Sequence, residues 1–192
     1  MKNVLIIFYS EKGSTESLAL KISKGVESID GVKCTIRTVA SINDIHKNEI
    51  ANKNDYLYAT LEDVKECDAL VIGSPTNFGN MSSSLKYFID SLSEVWLNGE
   101  LEGKPAGVFT SASSIHGGQE TTLISMMLPL MHLGMFIVGL PYSNKELGQT
   151  TTGCSPYGPS HYSENNSVIL SEDESNLCKA FGKRIAGLVI KL

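Results

Sequence analysis

Four short apolar segments punctuate the chain: Val4 to Tyr9, Ala69 to Gly73, Ala106 to Thr110 and Met135 to Gly139. Each is partly β-branched and bounded by turn residues, and none alternates strictly. That pattern predicts strands buried on both faces, as in a parallel sheet. A fifth segment, Val32 to Val39, alternates more clearly and suits a strand nearer the sheet edge. Between the strands the apolar spacing becomes helical. Thr15 to Ser28 follows a Ser/Thr cap and carries Leu18, Ile22, Gly25 and Val26 at helical intervals. Met81 to Leu92 sets Leu85, Phe88, Ile89 and Leu92 on one face, and Glu120 to Leu133 reads as a packed helix that Pro129 should kink or disturb. Ser171-Glu172-Asp173-Glu174 is a capping box with acids over the helix dipole, and it opens a last helix carrying Leu177, Phe181, Ile185 and Leu188.

The alternation of strand and helix predicts an α/β fold, a doubly wound three-layer sandwich around a five-stranded parallel sheet. One domain, 1–192, accounts for the length. Three connections are longer than such a fold needs: Ala40 to Thr60, Ser93 to Lys104 with the only tryptophan, and Pro141 to Leu170, rich in Gly, Ser, Thr, Tyr and Asn. Loops of this length in a compact domain are usually functional or interfacial.

Composition narrows the class. A formal net charge of −5 argues against a nucleic-acid surface, which needs clustered Lys and Arg. No apolar run approaches the ~20 residues of a membrane span. The apolar N-terminus runs straight into a Gly-containing turn, so it reads as a buried first strand and not as a signal peptide. Cys34, Cys67, Cys154 and Cys178 show no C-x-x-C or metal-ligand spacing, which points to free thiols in a reducing cytoplasm.

The chemistry concentrates in the loops that follow strands. Ser10-Glu11-Lys12-Gly13-Ser14-Thr15 joins a buried strand to a helix N-terminus, where unpaired N–H groups and the helix dipole attract phosphate. Gly13 permits the tight turn, and the hydroxyls add donors without bulk. The same letters also fit an ordinary Ser/Thr cap, and they match neither the Walker nor the dinucleotide fingerprint. Gly73 to Met81 follows the third strand. Pro75 and Gly79 bracket a short loop there whose amides can face a planar ligand, with Phe78 either flanking it or serving as core. Ser111 to Gly118 follows the fourth strand and is dense in small residues, which allow close backbone approach.

The first loop resembles the FMN phosphate loop of flavodoxins, which implies a flavodoxin-like sandwich with strand order 2-1-3-4-5 and long loop insertions. The chain is similar to the WrbA family of NAD(P)H:quinone oxidoreductases along almost its whole length. The likeness runs through Gly73-Ser74-Pro75-Thr76-Asn77-Phe78-Gly79-Asn80-Met81, Trp96 with Asn98-Gly99, Gly117-Gly118-Gln119-Glu120, His132 with Gly134-Met135, and Pro156-Tyr157-Gly158. The resemblance implies FMN as cofactor and NADH or NADPH as co-substrate, with a quinone as the second substrate. It implies FMN contacts from Ser10 to Thr15, from Pro75, Thr76, Asn77, Phe78 and Gly79, from Ser111, Ala112, Ser113, Ser114 and Gly117, and from Leu133. Phe78, Trp96 and Lys12 would meet the substrates, and the assembly would be a homotetramer whose subunits meet near the flavin. Burial between subunits would then account for Leu57, Tyr58, Tyr142 and Leu147 in otherwise polar loops.

The sequence departs from the family pattern at four places. Asn77 stands where Arg is frequent, Lys12 where Tyr is frequent, and Leu133 where a second His follows the first. The Ser111 loop is one residue longer and carries Ile115-His116. No catalytic side chain or metal ligand is required, because the cofactor carries the electrons. Two other readings are an electron-carrier flavodoxin and an FMN-binding interaction protein without turnover. The long loops favour an enzyme over the first.

Overall fold

The computed structural model describes residues 1–46 and 56–192, so part of the Ala40 to Thr60 connection lies outside the described residues. The chain opens with β1 (Lys2–Phe8), α1 (Ser14–Val26) and β2 (Val32–Thr38). Two short helices, α2 (Ile42–His46) and α3 (Leu61–Glu66), precede β3 (Ala69–Pro75). Next come α4 (Ser83–Asp90), α5 (Ser93–Leu97), β4 (Pro105–Ala112) and α6 (Gln119–His132). β5 (Phe136–Ile137), β6 (Ser160–Tyr162) and α7 (Glu172–Val189) complete the chain. The parallel sheet has the order β2-β1-β3-β4-β5, the order that the flavodoxin resemblance implies.

Alternation along the central strand divides the core into two layers. Val4, Ile6 and Phe8 pack with Leu18, Ile22 and Val26 of α1 and with Leu177, Phe181 and Ile185 of α7. Leu5 and Ile7 point the other way, toward Leu85 of α4 and Leu123 and Met126 of α6. Helices on both faces explain why β1, β3 and β4 are almost continuously buried. β2 is the edge strand, with β1 on one side and, among the described residues, only the Thr38–Tyr58 bridge on the other, and it is half-exposed. Where α1 and α7 cross, backbones touch: a Cβ on Gly25 would lie 2.1 Å from the Lys179 carbonyl.

The fifth strand position departs from the simple reading. Only Phe136 and Ile137 pair there, against Pro105 and Ala106. The chain then leaves the sheet: Leu140 N–H donates to the Pro156 carbonyl, and Pro141 has no N–H with which to resume pairing. After this excursion β6 fills the upper half of the same position, pairing Ser160, His161 and Tyr162 with Thr110, Ser111 and Ala112. The sheet therefore has six strands, and the inserted segment returns to its C-terminal edge.

Pro129 and Trp96 both fall within helices. α6 runs through Pro129, which sits in its last turn, and continues to His132. The Ser93 to Lys104 connection is partly helical, with Trp96 on α5. Among the described residues no helix is long and apolar enough to cross a membrane, and the four cysteines are free.

Candidate functional site

The loops after β1, β3 and β4 converge at the C-terminal edge of the sheet, where ligands of open α/β folds sit. They enclose a groove of about 260 Å³ lined by Ser10, Glu11, Lys12, Ser14, Thr15, Pro75, Thr76, Asn77, Ser111, Ala112, Ser113, Ser163 and Asn166. Most of the residues singled out in the sequence therefore meet in one place.

The first loop is built as an anion cradle. Gly13 holds a left-handed conformation, φ +90°, at the N-cap of α1, and its N–H donates to Ser10 Oγ at 3.0 Å. Ser14 and Thr15 are buried at the helix N-terminus, hydroxyls toward neighbouring loops. Thr15 Oγ1 lies 2.8 Å from Ser111 Oγ, which ties the first loop to the third. Ser14 Oγ lies 2.8 Å from Ser163 Oγ. Lys12 is exposed and its ammonium donates to Asn166 Oδ1 at 3.0 Å. The cradle thus offers a helix dipole, hydroxyls and one cation to an anionic group.

The second and third loops are clamped together. Thr76 N–H donates to the Ser111 carbonyl at 2.8 Å, and Thr76 Oγ1 lies 3.0 Å from Thr122 Oγ1. Asn77 and Asn80 exchange backbone hydrogen bonds around Phe78 and Gly79, which have φ +52° and +75°. This is a tight turn with both central residues left-handed. It projects Phe78 fully into solvent, so Phe78 is not core. Gly79 and Gly118 form the contact between the two loops: a Cβ on Gly118 would stand 2.9 Å from Gly79 Cα. Ser114 and Gly117 close a turn through Gly117 N–H to the Ser114 carbonyl and are not among the groove-lining residues, and His116 is exposed beside them.

Leu133 and Trp96 lie elsewhere. α6 starts at the C-terminal edge and runs back along the sheet, so Leu133 emerges near Pro105, where β4 begins. There Leu133 and Trp96 line a second cavity of about 380 Å³ with Ile89, Leu92, Pro129 and His132. Within one chain neither lines the groove. Leu147 is buried against its own core, whereas Leu57 and Tyr142 are exposed.

The sequence reading missed Ser163 and Asn166. The signal available was the length of the Pro141 to Leu170 connection and its Asn165-Asn166 pair. Both asparagines adopt φ near +50 to +60°, which Asn tolerates better than most residues.

Fold and groove together define a flavodoxin-like nucleotide-binding α/β protein. Residues 1–148 match the family described as NADPH-dependent FMN reductase. Two curated relatives, each named NAD(P)H dehydrogenase (quinone), match at full length. The one from Solidesulfovibrio magneticus is 38% identical, with 99% of this chain and 98% of the relative covered. The one from Chromohalobacter salexigens is also 38% identical, covering 100% and 99%. Among solved structures, the WrbA-like flavodoxin protein from Agrobacterium tumefaciens superposes with a TM-score of 0.71 at 20% identity, over 100% of this chain and 99% of that one. The chain belongs to the NADPH-dependent FMN reductase family.

Proposed function

We propose that this protein is an FMN-dependent NAD(P)H:quinone oxidoreductase that holds its cofactor in the groove at the C-terminal edge of the sheet. The observation that carries this reading is the cradle around Gly13. It joins a left-handed turn, a helix N-terminus and buried hydroxyls at one end of a cleft whose other walls are small or flat. A phosphate fits the polar end, and a planar ring system fits between Pro75–Asn77 and Ser111–Ser113.

On this reading the amides of the first loop and the hydroxyls of Ser10, Ser14 and Thr15 hold the phosphate, with Lys12 adding charge. FMN, when bound, supplies the electron chemistry, accepting a hydride from NAD(P)H and passing two electrons to a quinone. The protein's part is to fix loop positions before binding. The Thr15–Ser111 and Thr76–Ser111 hydrogen bonds do so by making the three loops one unit. Phe78, standing in solvent at the rim, is available to a second aromatic group.

A homotetramer completes the reading. Trp96, Leu97, Tyr87, Leu128 and Met131 leave large apolar surface exposed on α4, α5 and α6, as interface residues do. Because Trp96 and Leu133 are remote from their own groove, they wall a flavin pocket only from a neighbouring subunit. Free thiols fit a reducing compartment, the cytoplasm.

The test is direct. The purified chain is titrated with FMN, and NADH or NADPH oxidation is then followed under nitrogen with a soluble quinone. Catalytic turnover dependent on FMN is the expected result. Binding of FMN without sustained turnover would leave an electron carrier, and no binding would overturn the assignment.

A further inference from the structure

His161 and Glu174 are both almost wholly buried, 2% and 1% exposed, and the oxidoreductase reading makes no use of them. His161 Nδ1 lies 2.9 Å from Glu174 Oε2, and Nε2 lies 3.0 Å from the Ser167 carbonyl oxygen. Both partners only accept, so the ring satisfies them together only as the doubly protonated imidazolium. Burial works against that charge. The Glu174 hydrogen bond, the Ser167 carbonyl and the Glu174 charge outweigh it and hold His161 above its ordinary 6.5.

The Ser167 carbonyl is shared with the first loop. Ser163 Oγ donates to it at 2.7 Å, and Ser14 Oγ lies 2.8 Å from Ser163 Oγ and 3.2 Å from the same carbonyl. Each hydroxyl has one proton to place. With the ring charged, Nε2–H satisfies the carbonyl, so Ser163 can turn its proton to Ser14 Oγ, and Ser14 can donate into the groove. With the ring neutral, Glu174 keeps the Nδ1 proton and a lone pair on Nε2 faces the carbonyl. Ser163 must then donate to the carbonyl, and the Ser14 proton is drawn to Ser163, away from the groove.

We infer that His161 is a positioning residue for the anionic end of the groove: its imidazolium polarises the Ser163–Ser14 hydroxyl pair toward a phosphate monoester. This rests on the FMN reading above and adds to it a proton linked to cofactor binding. FMN affinity is full while the ring is charged and falls as pH rises through the His161 titration. Glu174 on α7 is the charged group facing the ring. Around the pair stand the Cys178 thiol, which burial pushes up and so keeps neutral, and the Cys154 thiol beside it. Glu164 follows on the same segment, Lys12 reaches Asn166 from the first loop, and Lys21 of α1 acts on Cys178. β4 presents only the uncharged Thr110, Ser111 and Ala112 to β6.

FMN binding is measured by fluorescence between about pH 7 and 9, where the phosphate is already a dianion. In the wild type, Kd should rise by up to about tenfold per pH unit once the ring titrates. His161→Gln keeps a donor for Ser167 but cannot titrate, and its profile should be flat, as should that of riboflavin, which lacks the phosphate. A flat wild-type profile, an equal slope in wild type and variant, or an equal slope for riboflavin overturns the inference. Should the variant fail to fold, NMR of the wild-type ring decides: FMN should raise the His161 midpoint, and an unmoved midpoint overturns the inference. A wild type that binds no FMN at any pH overturns the cofactor reading instead.

Discussion

At Gly13 backbone conformation and ligand access coincide. At φ +90° any L side chain is strained, and a Cβ there would stand 3.2 Å from Val168 Cγ1, on the segment that flanks the first loop. Gly13→Val should therefore weaken FMN binding by roughly 2–3 kcal/mol, about 30- to 150-fold, in a protein that still folds. Isothermal calorimetry on the folded variant decides, and unchanged affinity would remove the phosphate from this loop. Phe78 presents the opposite case. Its ring makes no buried contact in the chain, so Phe78→Ala should change unfolding free energy by no more than about 0.5 kcal/mol. If Phe78 meets the quinone, the same variant raises KM for that substrate, and a KM equal to wild type would leave the residue without that role. The sequence places Phe78 in the loop after the third strand. It cannot tell core from rim, because the outward projection comes from two left-handed residues in succession.

At the scale of elements, the strands and long helices were legible because burial on two faces erases alternation and helical spacing survives between them. What the sequence hid was the fate of the fifth strand. Met135 to Gly139 is apolar enough to pair along its length, yet Pro141 and the Pro156 carbonyl draw the chain out, and Ser160-His161-Tyr162 takes the vacated place. Nothing in those three polar letters announces a strand. Their fixing is tertiary: Glu174 of the capping box accepts the Ser171 and Tyr162 N–H groups as well as the His161 ring. For this reason Ser163 and Asn166 were missed as groove residues while Ser10 to Thr15 were not. The buried pair also sets a pH window for stability. Burial raises the Glu174 value, but its hydrogen bonds to His161 and Ser171 and the His161 charge more than offset this and hold it below the ordinary 4.5. Its contribution is therefore present above 4.5 and lost as pH falls through the lowered value. The His161 contribution is complete below 6.5 and lost as pH rises through its raised value. Relative to Glu174→Gln, the wild-type advantage in melting temperature should peak between those limits and shrink on either side. A constant offset across pH would show that the pair is not ionic.

At the scale of the molecule, Trp96 poses a question that one chain leaves open. The ring is 56% exposed on a short helix at the edge of the sheet opposite the groove, beside a cavity that also holds Leu133 and His132. Leaving a ring of that size in water forgoes ~2 kcal/mol of burial. The exposed Leu97, Leu128 and Met131 extend the same apolar surface, which the proposed assembly would cover with a second copy. If that copy also brings its groove to the cavity, Trp96 stacks over the neighbour's flavin and Leu133 makes the pocket wall apolar. Trp96→Ala should then lower kcat/KM for quinone by about tenfold or more, and any loss of FMN affinity should appear only in the assembled protein, since no contact within one chain's own groove is removed. In the wild type the same coupling makes specific quinone activity fall on dilution below the assembly constant, in step with the mass reported by light scattering. Stopped-flow measurement separates the two halves of the cycle. If the variant reduces quinone and oxidises NAD(P)H at wild-type rates while remaining assembled, Trp96 serves the interface alone and the shared pocket is wrong. If it becomes monomeric and slow together, dilution of the wild type to the same monomeric state must reproduce the loss, because a pocket shared between subunits fails whichever way the subunits are parted.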